Sequence, residues 1–315
     1  MQEKRCYLAV DGGNSKTEYR LLNETGAVIA SYRGGATNHE TLPGGFDEAA
    51  QILFDCTSAL LLAGGYEPED IADAVLGLAG ADYESEAAAL TQSLQSLGFK
   101  NCLVCNDGYL GVMAGSENGV GICYSAGSGI TCTGIAQDGS RAQFGGIGVL
   151  CGDVGGGFDI VAFVYRSIYQ HLFYHKKYTV LKDGYFTLFN IRSEAEFLAS
   201  AAAIQNEDAA KQLIGLFFTA FDAGDELSLQ YAAQAAAHAA DCIVAVTDAL
   251  PLQPVIPVSL SGSIMTAVAP GSYRRMIEYE LIRRKGKIFR LQVNALPPVE
   301  GAVRWLRLRN GLPAV

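Results

Sequence analysis

The sequence predicts an α/β protein built from two similar lobes. A strongly apolar run at residues 6–10 leads into a glycine-rich turn, and a second β-like run at residues 120–124 leads into another. Each turn is followed by a strand, a polar turn and a further short strand. Amphipathic helices alternate with buried strands beyond the first copy. Two copies of one strand-turn-strand unit indicate a duplicated fold.

The first lobe is predicted to span residues 1–116. Residues 46–62 and 84–97 carry apolar side chains at helical spacing, which predicts two amphipathic helices. Short apolar runs at residues 74–78 and 102–106 predict buried strands between and after them. Together with the opening strands, these segments complete one α/β lobe.

The second lobe is predicted to span residues 117–315 and to be enlarged by helices. After its strands comes a long helical region over residues 158–250. The alanine-rich stretches at residues 199–203 and 232–240 favour closely packed helices, because alanine is the best helix former and permits short distances between helix axes. Residues 176–190 are aromatic and irregular, which predicts an insertion or a mobile flap.

Three elements close the chain. Residues 255–260 and 289–293 return to a β-like pattern, and residues 299–308 predict a final helix. We expect this helix to pack back on the first lobe.

Composition limits the possible partners. The chain has 315 residues, 50% of them hydrophobic and 18% charged, which suffices for two buried cores. A formal net charge of −10 disfavours an extended nucleic-acid surface. No apolar run approaches the ~18 residues that a membrane span needs, and the start runs straight into a core strand, so we expect a cytoplasmic protein. The eight cysteines lie in apolar segments, which favours reduced thiols.

The first turn has the composition of a phosphate-binding loop. Adjacent glycines let the backbone approach an anion closely, and short polar side chains add donors. Asp11 precedes them and suits a hydrated Mg²⁺ held through water. An ordinary glycine hairpin is the alternative. The predicted phosphate-binding residues of this turn are Gly12, Gly13, Asn14, Ser15, Lys16 and Thr17.

Two later turns repeat this composition. In the second turn, the predicted phosphate-binding residues are Ser125, Gly127, Ser128 and Gly129. A third turn, at Ser261 and Gly262, follows a β-like run and is predicted to meet the adenosine of a nucleotide. The first two turns are predicted to grip one nucleotide from opposite sides.

The order and spacing of the motifs resemble the sugar kinase, Hsp70 and actin superfamily. Within it, the chain is similar to the BadF/BadG/BcrA/BcrD-type ATPases, particularly their N-acetylglucosamine kinase branch. The resemblance implies two ribonuclease H-like (actin-like ATPase) lobes with a nucleotide cleft between them, use of ATP and Mg²⁺, a small-molecule sugar substrate and a homodimer. The segments that carry it are residues 11–17, 37–39, 106–108, 125–129, 145–148, 152–155 and 297–302.

Asp107 is the candidate general base. It lies at a predicted strand end, where the open edge of an α/β sheet collects ligands. Phosphorylation of an alcohol needs a carboxylate that takes the hydroxyl proton. The alternative is an ordinary N-cap of the next helix.

The resemblance also implies the sugar contacts. Asn38 matches an amide that binds sugar in the family, and Asp153 matches a carboxylate that accepts hydrogen bonds from sugar hydroxyls. His39 follows Asn38 in a loop that is predicted to border the substrate. Gly80 ends a strand where backbone groups can face the substrate, or forms a plain turn. Gly146 lies in the glycine-rich stretch that precedes Asp153.

Two departures from the family pattern leave the acceptor open. Ile147 stands where the glucosamine kinases usually have an aromatic residue, and Val154 stands where they have an acidic one. Another amino sugar, a plain hexose or a muramic-type sugar fits equally well. Two other functions stay open: an ATPase that drives a change in a partner enzyme, which needs clustered cysteine ligands, and a sugar or nucleotide sensor without turnover.

Overall fold

The computed structural model describes residues 4–313, apart from the side chains of residues 203 and 205. The chain forms two compact units. The first unit holds the described residues up to Cys123, residues 134–139 and the chain from Leu296 onward. The second unit holds residues 124–133 and 140–295. The division therefore follows Cys123, whereas the sequence analysis placed a boundary after residue 116, and the last helix belongs to the first unit.

Strands and helices alternate along much of the chain. The strands are β1 (Cys6–Gly12), β2 (Thr17–Asn23), β3 (Val28–Gly34), β4 (Ile71–Leu78), β5 (Cys102–Cys105), β6 (Gly121–Ala126), β7 (Ile130–Ile135), β8 (Arg141–Phe144), β9 (Ile256–Ser261) and β10 (Phe289–Val293). The helices are α1 (Gly45–Gly64), α2 (Glu84–Ser96), α3 (Gly108–Gly115), α4 (Gly157–Tyr174), α5 (Leu181–Leu188), α6 (Glu194–Ala199), α7 (Glu207–Asp222), α8 (Glu226–Ala249), α9 (Gly271–Lys285) and α10 (Pro298–Asn310).

The first sheet is mixed, with the strand order β3-β2-β1-β4-β5. β1 pairs antiparallel with β2 and parallel with β4, and β4 pairs parallel with β5. Successive side chains of a strand point to opposite faces of the sheet. Cys6, Leu8 and Val10 accordingly pack with residues of α1 and α2, while Tyr7 and Ala9 pack with residues of α10. Helices on both faces explain why β1 is almost entirely apolar.

The second sheet repeats the first. Its order is β10-β9-β6-β7-β8, so β6 to β10 occupy the places that β1 to β5 occupy in the first sheet. β9 and β10 pair in parallel, as β4 and β5 do. The predicted α/β class is therefore confirmed, with two mixed sheets and flanking helices.

The helical enlargement of the second unit packs through small and aromatic side chains. Alanines along one face of α8 are buried, among them Ala232, Ala236 and Ala240, and α8 packs closely against α9. Residues 176–190, predicted to be an irregular insertion or a mobile flap, contain the regular helix α5. Tyr185 of α5 is fully buried beside Tyr165 and Phe197, so these aromatic side chains form core contacts.

The last helix, α10, holds α3 in place within the first unit. A Cβ on Gly301 would lie 2.0 Å from the carbonyl oxygen of Leu110, so only glycine permits this close approach. Arg304 donates from Nη1 to the carbonyl oxygens of Met113 and Ser116, at 3.0 and 2.5 Å, and so satisfies the end of α3. α10 therefore contacts α3 at Leu110 and at its C-terminal end.

None of the helices within residues 4–313 combines the length and apolar character that crossing a membrane requires.

Candidate active site

The first turn, between β1 and β2, is held by backbone hydrogen bonds. The Gly13 amide donates to the Lys16 carbonyl at 2.9 Å, and the Ala79 amide donates to the Gly12 carbonyl at 2.7 Å. A Cβ on Gly12 would lie 2.4 Å from Oγ1 of Thr37. Backbone and side chains are thus too close for any residue larger than glycine at position 12.

Thr17 braces this turn from inside the protein. Its hydroxyl donates to the Gly35 carbonyl at 2.8 Å and lies 2.9 Å from the Thr37 hydroxyl, and the residue has no exposed surface. Thr17 is predicted to contact phosphate, but its hydroxyl is buried and hydrogen-bonded within the protein. Asn14, Ser15 and Lys16 are exposed, and Lys16 pairs with Glu18 at 2.9 Å.

The residues expected to bind sugar in the first unit lie together. Asn38 is 3% exposed, and its Nδ2 donates to Oδ1 of Asn14 at 2.6 Å, which links it to the first turn. Gly80 has a φ of +80°, and a Cβ there would lie 2.3 Å from Oδ1 of Asn38. His39 stacks on Phe46 with ring centroids 4.1 Å apart. Its buried Nδ1 has no hydrogen-bond partner among the residues that the structure describes.

Asp107 and Asp11 form a carboxylate pair at the ends of β5 and β1. Asp107 holds the N-cap position of α3, and its side chain makes no capping hydrogen bond. Burial, and then the Asp82 carboxylate, raise the pKa of Asp107 to about 6, against the opposing effect of the Gly108 amide. Burial, and then the charge of Asp107, raise the pKa of Asp11 to about 7. Shifted carboxyl groups at the ends of sheet strands are typical of a functional site.

The second turn is seated on the start of α4. The Gly127 amide donates to the Gly129 carbonyl at 2.9 Å and closes the hairpin. The amides of Gly157 and Phe158 donate to the carbonyls of Gly127 and Ser128, at 2.8 and 3.0 Å. The Gly127 amide is therefore used within the turn, whereas Ser128 and Gly129 are both exposed.

The third turn abuts the second. Gly262 directly follows β9 with a φ of +83°, and a Cβ there would lie 2.3 Å from the carbonyl oxygen of Ala126. Ala126 is the last residue of β6 and precedes Gly127. The backbones of the two turns therefore meet, and Ser261, which is 8% exposed, lies on the strand that leads into this contact.

Asp153 organises the glycine-rich loop around it. Its Oδ2 accepts hydrogen bonds from the amides of Gly146 and Gly148, at 2.9 and 2.7 Å. Its Oδ1 lies 3.5 Å from Nε2 of His238 on α8. One oxygen thus shapes the loop, and the other faces a histidine. Ile147, between the two bonded amides, is 59% exposed.

Sequence reasoning missed several residues that complete these arrangements. Asn106 donates from Nδ2 to the Asp82 carboxylate at 2.7 Å. It precedes the candidate base in residues 106–108, one of the segments that carry the family resemblance. Thr37 likewise stands beside Asn38. Their positions next to predicted site residues were the available signal. His238 lies within an alanine-rich helix far along the chain from Asp153, and no local pattern indicates it.

The duplicated mixed sheets, glycine turns and paired carboxylates define the class of the protein. It is a two-unit α/β protein whose fold is shared by solved sugar kinase structures. The chain belongs to the BadF/BadG/BcrA/BcrD ATPase family, whose model matches residues 8–305.

Two curated relatives share about a quarter of their residues or less with the chain. The N-acetylmuramic acid/N-acetylglucosamine kinase of Clostridium acetobutylicum is 24% identical over 250 residues, covering 78% of this chain and 80% of the relative. The N-acetyl-D-glucosamine kinase of Dictyostelium discoideum is 21% identical over 235 residues, covering 71% of this chain and 74% of the relative.

Solved structures show the same fold. A Chromobacterium violaceum protein proposed to be an N-acetylglucosamine kinase superposes with a TM-score of 0.66 at 20% identity, covering 95% of this chain and 98% of that chain. A ROK family glucokinase of Streptomyces griseus, solved with glucose and AMPPNP, gives a TM-score of 0.59 at 14% identity, covering 96% of this chain and 98% of that chain.

Proposed function

We propose that the protein is an ATP-dependent sugar kinase that phosphorylates a hydroxyl of an N-acetylglucosamine-type or related hexose. The observation that carries this proposal is Asp107, a carboxylate at the end of β5 whose pKa is raised to about 6. A base of this strength is ionised near neutral pH, yet it is basic enough to accept a proton in the transition state. Membership of an ATPase family supports ATP as the donor.

Asp107 acts on the acceptor. As the sugar oxygen forms its bond to the γ-phosphorus, the bond from that phosphorus to the bridging oxygen of ADP breaks, and the hydroxyl proton passes to the Asp107 carboxylate. We assign the phosphate contacts to the exposed groups of the first two turns, with Asn14 and Ser15 in one and Ser128 and Gly129 in the other.

Asp11 is the residue proposed to hold Mg²⁺ through water. Its pKa is raised to about 7 by burial and by neighbouring carboxylates, so a divalent cation offsets charge that the protein itself leaves uncompensated. No group of three His, Cys, Asp or Glu side chains within residues 4–313 is arranged to hold a metal directly. A single carboxylate with water ligands suits Mg²⁺, which neutralises charge on the phosphates when bound.

The acceptor is proposed to contact Asn38, His39, Gly80, Gly146 and Asp153. The Nδ1 of His39, which has no hydrogen-bond partner among the described residues, supports the contacts of residues 38–80. Both curated relatives are named as kinases of N-acetylated amino sugars. Since Ile147 and Val154 depart from the family pattern, the acceptor is proposed to lie among amino sugars, muramic-type sugars and plain hexoses.

ADP release measured over a panel of sugars, with a no-acceptor control, tests the function. We expect ADP release to depend on one acceptor class. Asp107→Asn is expected to reduce it by about 10²- to 10⁴-fold with little change in ATP binding. Glu24→Gln, an exposed carboxylate in the turn after β2, is the matched control and should retain activity.

Three other outcomes contradict the proposal. Equal ADP release without acceptor identifies a hydrolytic ATPase, such as one that drives a partner enzyme. ATP or sugar binding without turnover identifies a sensor. Full activity in Asp107→Asn removes the proposed base.

We also propose an oligomeric state and a cellular location for the protein. A homodimer is proposed from the family resemblance, with sedimentation velocity as its measurement. A cytoplasmic location is proposed with it, and cell fractionation tests it.

A further inference from the structure

Both carboxyl oxygens of Asp153 have protein neighbours. Oδ2 accepts hydrogen bonds from the amides of Gly146 and Gly148, at 2.9 and 2.7 Å, and Oδ1 lies 3.5 Å from Nε2 of His238. An ionised carboxylate has about four lone-pair sites, two on each oxygen. Among the described residues, the two amides and His238 thus occupy both sites on Oδ2 and one on Oδ1. The remaining lone-pair site lies on Oδ1, and the side chain is 9% exposed, so a ligand donor can reach it.

The chemistry of this pair determines which group donates. A carboxylate only accepts hydrogen bonds, so the approach of Nε2 to Oδ1 is attractive when Nε2 carries a proton. A second atom close to Nε2 is Sγ of Cys242, at 3.6 Å. Burial, and then the charge of Asp153, raise the pKa of the Cys242 thiol to about 12, so this thiol stays neutral and is a weak partner. We therefore assign Nε2 of His238 as a donor to Asp153.

His238 lies on a helix that is packed within the second unit. Ala239 beside it is fully buried, and α8 packs closely against α9. A second contact joins α8 to the same glycine-rich region. The Tyr231 hydroxyl, two turns before His238, donates to Oδ2 of Asp159, which also accepts the Gly155 amide at 3.1 Å. His238 is thus held by a regular element, which fixes a side chain more precisely than a loop does.

We propose that His238 is a positioning residue, which holds Asp153 so that the remaining lone-pair site on Oδ1 accepts one hydroxyl of the sugar. This inference rests on the proposed function, in which Asp153 contacts the sugar. His238 needs no contact with the sugar, because it acts through Asp153. A single remaining site also means that Asp153 recognises one hydroxyl and not two adjacent ones.

Two substitutions at position 238 separate the donor from the bulk of the side chain. His238→Gln keeps an N–H donor, and His238→Leu fills the space without one. We expect the KM for the sugar to rise about tenfold in His238→Leu and to stay within about threefold in His238→Gln. Both kcat and the KM for ATP should change less than about twofold, because the weakened contact binds the ground state and the transition state alike.

The matched control is Gln234→Leu, which removes an exposed polar side chain one turn earlier on the same helix. It should leave both KM values unchanged. If His238→Leu does not fold, His238→Asn gives the same comparison, because its shorter amide places no donor at the position of Nε2. A lower melting temperature with an unchanged KM for the sugar would show a purely structural role and overturn the proposal.

A double substitution tests whether His238 acts through Asp153. Asp153→Asn alone should raise the KM for the sugar about tenfold or more. Adding His238→Leu should then raise it less than about twofold further, because the contact is already impaired. Fully additive losses would show that His238 binds the sugar itself, which overturns the positioning role.

Sugar analogues that each lack one hydroxyl test the single remaining site. The analogue without the hydroxyl that Asp153 binds should have the same KM in His238→Leu as in the unmodified protein, to within about twofold. The other analogues should keep the tenfold difference. Two insensitive analogues would show that Asp153 binds two hydroxyls and would overturn the inference of a single one.

A last measurement needs neither turnover nor sugar. Hydrogen exchange of the Gly146 and Gly148 amides, followed by NMR, reports whether Asp153 stays in place. We expect both amides to exchange about tenfold faster in His238→Leu than in His238→Gln or the unmodified protein. Equal exchange in the three proteins overturns the hold of His238 on Asp153. Faster exchange in His238→Leu without any sugar-dependent ADP release rejects the proposed function and leaves the contact between His238 and Asp153 supported.

Discussion

The two sheets have the same strand order but differ in charge at equivalent positions. Asp11 is the penultimate residue of β1, and the penultimate residue of β6 is Ser125. Asp107 lies two residues beyond β5, and Ala295 lies two residues beyond β10. The repeat therefore preserves the backbone and replaces both carboxylates by neutral residues.

This difference indicates that the two repeats have different roles. A glycine turn at the end of a strand presents backbone and hydroxyl donors in either repeat. At these two positions the first repeat adds carboxylates, which cost stability when buried unless a cation or a proton is present. We infer that these two positions supply reacting groups in the first repeat and neutral groups in the second.

Among the changes that compare the two repeats, the largest effect on activity is expected when the first repeat is given the residue of the second. Asp11→Ser should reduce kcat on the order of 10²- to 10³-fold, because the group proposed to hold Mg²⁺ is lost. Ser125→Ala, the matched change in the second repeat, should change the KM for ATP no more than about fivefold, as loss of one neutral hydrogen bond implies. Steady-state kinetics with varied ATP and Mg²⁺ measure both.

Circular dichroism melts establish that both variants are folded. Equal losses of kcat in the two variants would contradict the division of tasks. A loss in Asp11→Ser that higher Mg²⁺ restores would support the assigned role of this carboxylate.

A smaller effect is expected where the turns of the second repeat meet. Gly262 and Gly139 have nearly the same φ, +83° and +84°, but only Gly262 is crowded, with the Ala126 backbone within 3 Å of a Cβ. Gly139→Ala should therefore lower the free energy of unfolding by about 1 kcal/mol through backbone strain alone. Gly262→Ala should lower it by about 2–3 kcal/mol more, because the neighbouring backbone must move.

Denaturant unfolding of the two variants gives this difference directly. Equal losses of stability would show that the turns do not need their close approach. A larger loss in Gly262→Ala, together with weakened ATP binding, would indicate that the contact also shapes the second turn.

Local pattern was sufficient to predict the elements of both sheets. The apolar runs at residues 74–78 and 255–260 correspond to β4 and β9, and the helical spacing at residues 46–62 corresponds to α1. These segments are either continuous apolar runs or carry apolar side chains at helical spacing, so their burial can be predicted from the sequence. α5 was missed because its aromatic residues are buried by α4, α6 and α7, and that packing is not visible locally.

The candidate site was only partly predictable for a similar reason. Asp11 and Asp107 follow strands, which marks them without any tertiary information. Thr17 was assigned to phosphate because its neighbours are polar, yet its hydroxyl turns inward to Gly35 and Thr37. The contact of Asp153 with His238 joins a loop to a distant helix, and no sequence period reports such a pairing.

The smallest expected effect is the loss of folding stability that Asp107 causes in the first repeat. The folded pKa of about 6 lies above the ordinary value of 3.8, so the folded protein binds this proton more tightly than the unfolded chain. The stabilisation that protonated Asp107 gives the folded protein is thus complete below about pH 4 and is lost as pH rises through 6. Asp107→Asn, which resembles the neutral Ala295 of the second repeat, should unfold with a free energy about 1–2 kcal/mol higher at pH 8, with little gain at pH 4.

Glu18 provides a control of opposite sign in the same unit. Burial raises the pKa of Glu18, but the hydrogen bond from Lys16 and nearby arginines outweigh this, and the net pKa is lowered. Its contribution is therefore present at neutral pH and lost as pH falls through the lowered value. Glu18→Gln should reduce stability at pH 8, where Asp107→Asn increases it, in metal-free protein unfolded by urea. If both substitutions shift stability in the same direction, ionised Asp107 does not destabilise the folded protein. The neutral Ala295 at the equivalent position would then give no advantage in stability.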